Sequence, residues 1–354
     1  TNLPGPTVST SDPAIDTNLT LGAKWINKTS GEVYICTDAT AGENVWTNVG
    51  AGSGDVQPYF FQGSAYGYSA GGYAQPNNIN NICKFSFTAD TNATDVGDLT
   101  GVRNAPSASH SSTYGYVMGG YVSAEVNIIE KVSFSTDGNG VDVGDLLTNS
   151  NHGVGCSSST YGYHVGGHNG SAYTNVIQKL SWSAEGNSSD VADLLAVLGR
   201  QDNSSSTTHG YTAGGRNGNP VNTIQKFPFA TDSNSTDVGD LLAATKEGCG
   251  GVNSSTHGYH CQGYTTAPTM QNRIEKYTFA SDANSTDVGD ATSVAIFSSG
   301  TSSTTYGYLS GGEPSGSSPR NIIEKFSFTT DGNATDIADL THVVIAAARG
   351  GMQI

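Results

Sequence analysis

A long internal repeat constrains this chain more than any other property. The stretch from Tyr114 to Leu146, YGYVMGGYVSAEVNIIEKVSFSTDGNGVDVGDL, has close relatives along most of the sequence. Its Gly-Tyr pairs fall at Gly67-Tyr68, Gly115-Tyr116, Gly162-Tyr163, Gly210-Tyr211, Gly258-Tyr259 and Gly307-Tyr308, in steps of 48, 47, 48, 48 and 49 residues. A fixed period of this size means one supersecondary unit used six times, each copy burying its apolar face against the next. The second copy divides into four strand-like runs, Ser107–Thr113, Tyr116–Gly120, Ile128–Ser135 and Val141–Leu146, separated by Gly, Asn and Asp. Short runs of this kind with no helical period predict antiparallel sheet, and four strands in about 48 residues make one propeller blade. The expected fold is therefore all-β: a six-bladed β-propeller of four-stranded antiparallel blades over residues 56–354.

The N-terminal part follows a different pattern. Residues 1–22 hold Pro4, Pro6 and Pro13 among Thr, Ser and Asn, and read as an extended arm or linker. Residues 23–50, AKWINKTSGEVYICTDATAGENVWTNVG, predict a small β module with strands at Lys24–Asn27, Glu32–Cys36 and Val45–Asn48. So small a sheet buries little by itself, so Trp25, Tyr34 and Trp46 are expected to pack against the repeat body or a neighbouring chain. Residues 51–55, AGSGD, read as a flexible joint. The chain opens on Thr1, which fits either processing or a fragment, and no secretory signal pattern precedes the module.

Charge narrows the choice of partners. A net charge of -16 with only 15 Lys and Arg offers no positive field to a phosphate backbone or an anionic lipid surface. Nucleic acid is therefore not an expected partner, and membrane insertion is not expected either, since the apolar run Val343–Ala348 is far below the ~20 residues a spanning helix needs. Five cysteines show no metal-type spacing. Cys249 and Cys261 share a hairpin; a tight turn at His257-Gly258 would set Cys261 opposite Ser254, so free thiols are expected.

Charged positions repeat with the period. Each copy carries a lysine in its third strand (Lys84, Lys131, Lys179, Lys226, Lys276, Lys325) and three acids around the following turn and strand. The first and second acids are Asp90 and Asp95, Asp137 and Asp142, Glu185 and Asp190, Asp232 and Asp237, Asp282 and Asp287, Asp331 and Asp336; the third are Asp98, Asp145, Asp193, Asp240, Asp290 and Asp339. Two readings are open. In the first, the acids shape the turn, one of them pairs with the lysine of its copy, and the lysines and third acids are structural. In the second, Asp90/Asp95, Asp137/Asp142, Asp232/Asp237, Asp282/Asp287 and Asp331/Asp336 bind calcium through hard oxygen ligands. The spacing matches no EF-hand loop, and apart from this ion no cofactor is implied.

Catalysis in a repeat ring needs different residues on different copies, and these charges recur almost unchanged. The expected channel-lining runs Ser109–Thr113, Ser157–Thr160, Ser204–Thr208 and Ser302–Thr305 are mostly hydroxyls, which are poor nucleophiles without a partner base. His110, His209 and His257 in or beside the inner hairpins read as hydrogen-bonded structural groups. The chain is expected not to be an enzyme.

The order of hydroxyl-rich strand, aromatic, diglycine, Asn-Ile-Ile-Glu-Lys-aromatic strand and short final strand resembles the kelch repeat of β-propellers. The diglycines are Gly71-Gly72, Gly119-Gly120, Gly166-Gly167, Gly214-Gly215 and Gly311-Gly312, with Gln262-Gly263 in the fifth copy. The Trp typical of the last kelch strand is missing, so the resemblance is to a variant. Such a ring needs one blade stitched from both chain ends. Pro58–Ser64 and Arg349–Ile354 compete for the innermost strand, and the first is favoured, with the C-terminus against the seam.

In a four-stranded blade the first and third turns emerge on one face, and the second turn and the connection between blades on the other. The constant turns thus share one face. The other collects the divergent loops YAQPNN, YVSAEVN, HNGSAYTN, RNGNPVN, YTTAPTMQN and EPSGSSPRN, each beginning just after the diglycine. Loops on a rigid scaffold carry recognition, and Tyr, Asn, Ser and Arg suit adaptable contacts with glycans or proteins. The candidate binding residues there are Tyr73, Tyr121, His168, Tyr173, Arg216, Tyr264 and Arg320.

The module GAKWINKTSGEVYICTDATAGENVWTNVG and repeats ending in TDGNATDVGDL are similar to phage virion proteins, particularly tail fibres. That resemblance implies a non-enzymatic, extracellular virion component that assembles as a homo-oligomer. Its N-terminal module would attach to other virion proteins, and its propeller would recognise a host cell-surface glycan or protein. A purely structural head, collar or decoration protein is the alternative. A glycan-acting enzyme is a lesser one, because only Glu125 and Glu313 are acidic in these loops.

Overall fold

Alternating β-branched and aromatic residues make Lys24–Asn27 (β2), Val33–Asp38 (β3) and Val45–Asn48 (β4) an antiparallel set, close to the predicted limits. The computed structural model describes residues 5–49, 61–265, 269–315 and 319–354, with no helix among them. It divides into two compact units, residues 1–59 and 60–354.

In the first unit two expectations are corrected. Thr7–Ser9 (β1), within the predicted arm, pairs in parallel with β2 and completes a four-stranded sheet. The preceding segment is held as well, since Trp25 Nε1 donates to the Ser11 carbonyl at 2.8 Å and Asn27 Nδ2 to Asp12 at 2.8 Å. Trp46 and Tyr34 are fully buried in this unit's own core, with Trp25 edge-on to Trp46 at 6.0 Å. Leu19, from the predicted arm, packs on these aromatics and gives them cover that three strands alone could not. The predicted joint, 51–55, lies outside the described residues.

The second unit is β-propeller-like: among the described residues it holds six antiparallel sheets, four of them of four strands. In the second copy these are Ser107–His110, Tyr114–Met118, Ile128–Ser133 and Val141–Asp145. A serine sets the first turn in five copies. Ser111, Ser158, Ser206, Ser254 and Ser303 accept the backbone N–H three residues on at 2.9–3.0 Å. The hydroxyl-rich runs are therefore turn caps as well as inner strands. In the fifth copy this cap moves the turn upstream of His257-Gly258. Cys249 thereby faces Cys261, correcting the predicted register, and both thiols are free and buried.

Adjacent sheets are joined by the constant residues. The tyrosine of each Gly-Tyr pair stacks on an aromatic of the next copy: Tyr68 on Phe134, Tyr116 on Trp182, Tyr163 on Phe229, Tyr211 on Phe279 and Tyr259 on Phe328, at 4.6–5.1 Å. Tyr308 of the sixth copy stacks on Phe87 of the first at 4.7 Å. Each such pair contributes ~0.5–1.5 kcal/mol beyond its buried area. The lysines follow the same rule, which corrects the pairing expected within a copy. Lys84, Lys179, Lys226, Lys276 and Lys325 bind Asp137, Asp232, Asp282, Asp331 and Asp90 at 2.6–2.9 Å, and Lys131 binds Glu185. A lysine extended from the third strand reaches the first acid of the corresponding turn in the next copy.

The third acids contribute backbone instead of carboxylate. The N–H groups of Asp98, Asp145, Asp193, Asp240, Asp290 and Asp339 donate at 3.0–3.1 Å to Asn139, Asn187, Asn234, Asn284, Asn333 and Asn92 of the next copy in the same cyclic order. The second acids turn back on their own strand, as when Asp95, Asp142, Asp237 and Asp287 accept the N–H two residues on. Three acids with three separate tasks do not converge. Among the described residues no group of three or more His, Cys, Asp or Glu is placed to hold a metal ion, and the acids offered for calcium, Asp90, Asp95 and their counterparts, are engaged with lysines and with their own backbone.

The favoured closing strand is also corrected. Met352–Gln353 pairs with Tyr66–Ala74 and becomes the innermost strand of the first sheet, whose order ends in Asn77–Ser86 and Thr94–Asp98. Gly63 instead runs parallel to Ser303 of the sixth copy, and residues 58–60 of that stretch lie outside the described residues. Upstream of this strand, Arg349–Gly351 fills the middle of the unit. The Arg349 carbonyl accepts from Ala108 and Gly155, and its buried guanidinium meets the Gly248 carbonyl at 2.6 Å and Asp202 at 3.3 Å. His260 Nδ1 lies 2.8 Å from the other oxygen of Asp202. A Cβ at Gly350 would stand 1.7 Å from the Ala108 carbonyl oxygen, so only glycine passes there. The expected hydroxyl-lined channel is thus filled, with buried inner segments of the second to sixth copies packed on this tail.

Candidate functional site: the loop face and its central mouth

The diglycines build one face of the second unit. Both residues have positive φ, and a Cβ on either would meet the backbone of the connection between sheets, as at Gly119, 2.3 Å from the Ser150 carbonyl oxygen. The fifth copy places Gln262 in the same left-handed conformation, its Oε1 accepting from Ser298 at 2.6 Å. This close approach clips every variable loop to a connection. The residue after each second glycine pairs with it: Tyr73 with Ile345, Tyr121 with Asn104, His168 with Asn151, Arg216 with Gly199, Tyr264 with Lys246 and Glu313 with Ile296. Five of the seven candidate binding residues therefore occupy equivalent positions on one face.

Immediately inside them stands a ring that the sequence reading missed. The residue following each clipped position on the connection is Ala105, His152, Arg200, Glu247, Phe297 or Ala346, all with φ between 50° and 62°. Each donates its N–H to the carbonyl of the one before, at 2.7–3.0 Å, and Ala105 donates to Ala346, so six backbone hydrogen bonds return to their start. A left-handed conformation costs a non-glycine residue about 1–2 kcal/mol and persists only where the surroundings enforce it. The closed ring enforces it here.

Because main chain alone forms the ring, its side chains differ. They line an open depression of about 330 Å³ with Tyr73, Asn104, His152, Arg200, Phe297, Ile345 and Ala346 on its wall. The Arg200 guanidinium lies 5.5 Å from the Phe297 ring centre and pairs with Glu247, which also faces Lys246 at 3.4 Å. His152 tilts against Phe297 at 5.8 Å. Burial first, then the positive charge of Arg200, holds His152 well below the usual imidazole range, so it is neutral near pH 7. Its Nδ1 and the Arg200 Nε are buried without a hydrogen-bond partner.

A second groove, of about 600 Å³, runs from Tyr73 past Pro76, Asn78 and Val102 to Tyr121 and Val122. Farther round, His168 Nδ1 is 3.5 Å from Glu125, Tyr173 is edge-on to His168 at 5.2 Å, and the Arg216 guanidinium lies 5.9 Å from the Tyr173 ring centre. Tyr264 carries Lys246 over its ring at 5.1 Å. Arg320 is the exception among the candidates. Its guanidinium is turned inward to the Gly311 carbonyl at 2.8 Å, Ser293 at 2.6 Å and Glu324 at 3.0 Å, so it braces the loop instead of presenting a charge.

The mouth residues left one trace in the sequence. Aligned on the repeat, the position two residues before the innermost strand reads Ala, His, Arg and Phe in copies two, three, four and six, a divergent column within an otherwise repeated frame.

No family model matches the chain, and no curated protein sequence matches it. Among solved structures, that of YjhT is similar over 78% of this chain and 98% of its own, with a TM-score of 0.63 at 10% sequence identity. A likeness at that identity is one of fold.

Proposed function

We propose that the second unit is a closed six-bladed, kelch-like β-propeller acting as a non-enzymatic binding module, and that the chain is a phage virion component, a tail fibre contacting the host surface through its loop face. The observation that carries the binding role is the division of labour between the faces. Residues repeated in every copy are consumed in sheet-to-sheet contacts, whereas the six clipped loop positions and the six ring positions carry different side chains on a common backbone. Support for closure comes from the ring of hydrogen bonds and from the contacts joining the sixth copy to the first. The virion assignment rests on the resemblance of residues 22–50 and of the acidic turns.

A hydrolytic role has less support. Glu247 is the one acid in the ring and is held by Arg200 and Lys246, whereas glycosidases pair two carboxyl groups about 5–10 Å apart across the bond they cleave. Adsorption of the purified chain to candidate host cells tests the reading, beside a variant whose six loops are shortened to Gly-Ser. Saturable adsorption lost in the variant is expected. A folded wild type that binds no cell of a susceptible host would favour a purely structural virion role.

A further inference from the structure

The depression at the central mouth combines four features seldom found together on an exposed face. Phe297 and Tyr73 supply aromatic surface, and Asn104 supplies an amide on the same wall. Neutral His152 offers one ring nitrogen that donates and another that accepts, with Nδ1 buried and unpartnered. Arg200 is neutralised locally by Glu247, yet its Nε is buried and unpaired. The wall therefore holds unused hydrogen-bonding capacity of both signs, and its one charged lining residue, Arg200, is already paired.

We infer that the mouth is a binding site for a neutral saccharide, with an apolar face of the sugar ring laid on Phe297 and its hydroxyls hydrogen-bonded to His152, Arg200 and Asn104. A sugar hydroxyl donates and accepts at once, as this wall requires. An anion would find Glu247 beside the one guanidinium that lines the depression, and a purely apolar ligand would leave His152 Nδ1 and Arg200 Nε unpaired. A depression of about 330 Å³ is at the small end of ligand sites, which suits a monosaccharide or the tip of a short glycan. The ring prepares the site by fixing the backbone at His152, Arg200 and Phe297 before any ligand arrives. The inference rests on the binding role proposed above and gives that role a chemical class.

The test uses the full chain and saturation-transfer NMR with methyl glycosides of glucose, galactose, mannose and N-acetylglucosamine, with methyl glucuronide as the charged counterpart. At least one neutral glycoside is expected to bind and the glucuronide not to. Phe297→Asn keeps a residue that tolerates the left-handed conformation, so the fold survives while binding weakens roughly tenfold or more. Glu247→Gln leaves Arg200 unneutralised and should move the preference toward the glucuronide. A folded wild type that binds no neutral glycoside, prefers the glucuronide, or binds as well after Phe297→Asn overturns the inference. Loop-dependent adsorption to cells without glycoside binding would remove the saccharide and keep the binding role; glycoside binding without adsorption would do the reverse.

Discussion

The two faces of the repeat unit use the same period for opposite ends. On the turn face, Lys84 and its five counterparts, the first acids and the junction asparagines recur because each copy must offer the next copy the same partner. On the loop face the recurring element is backbone: six clips and a ring of six N–H to carbonyl bonds. Where side chains make the joint, side chains are fixed; where main chain makes it, they are released. Constancy in a repeat protein thus marks the joints, and chemistry is better sought at equivalent positions that disagree.

That contrast can be broken most forcefully at the packed middle. Arg349→Ala would leave Asp202 buried with only His260 beside it, and a loss of ~3–5 kcal/mol is expected in urea unfolding. Phe297→Asn, on the mouth, should change stability by no more than ~1 kcal/mol while weakening glycoside binding about tenfold or more. If the two variants were equally destabilising, the division between scaffold and site would not hold.

Acid should act on the scaffold as well. His110 and His164 are fully buried, and burial lowers each to about 4; His164 is set between Ser107 and Ser150 at 2.7 and 2.9 Å. A folded pKa below the unfolded value near 6.5 means that the unfolded chain binds more protons between those limits. Their contribution is then present above about pH 6.5 and is lost as pH falls toward 4, by up to about 3 kcal/mol each. Urea midpoints at pH 7.5, 5.5 and 4.5 should fall in that order, with a shallower fall in His164→Gln. A pH-independent midpoint would place these histidines in contact with water.

The smallest effects sharpen the equivalence of the joints. Lys179→Ala and Lys325→Ala each remove one partly exposed ion pair, expected to be worth ~0.2–1 kcal/mol and to weaken in high salt. The Lys325 pair joins the ends of the repeat and the Lys179 pair lies within it. Melting shifts differing by more than the equivalent of ~1 kcal/mol would mark the closing joint as distinct.

Much of the architecture was legible because the pattern was short-range. The period gave the sheets, strand alternation gave their limits, and the diglycines gave the loop face. Long-range choices were not. Lys84 and Asp98 are nearer in sequence than Lys84 and Asp137, and only the juxtaposition of sheets reveals the second as the joint. The C-terminal stretch and the segment at 58–64 both fit an innermost strand, and sterics around Gly350 decide between them. His152, Arg200 and Phe297 escaped notice because their left-handed backbone is imposed by the ring and not by residue type. Arg320 shows the opposite error, a loop arginine taken for a contact although its charge is needed inside by Glu324.

The seating of Met352–Gln353 beside Tyr66–Ala74 also sets an order in time. The sheets of the second, third and sixth copies draw their strands from consecutive stretches and can form as the chain leaves the ribosome. The first sheet of the second unit has three strands ready early and must hold an open edge until Met352–Gln353 has been made. Within the second unit, the sheet whose strands come first along the chain is therefore the last to be finished, and that waiting edge is where the nascent protein is most exposed to pairing with another chain.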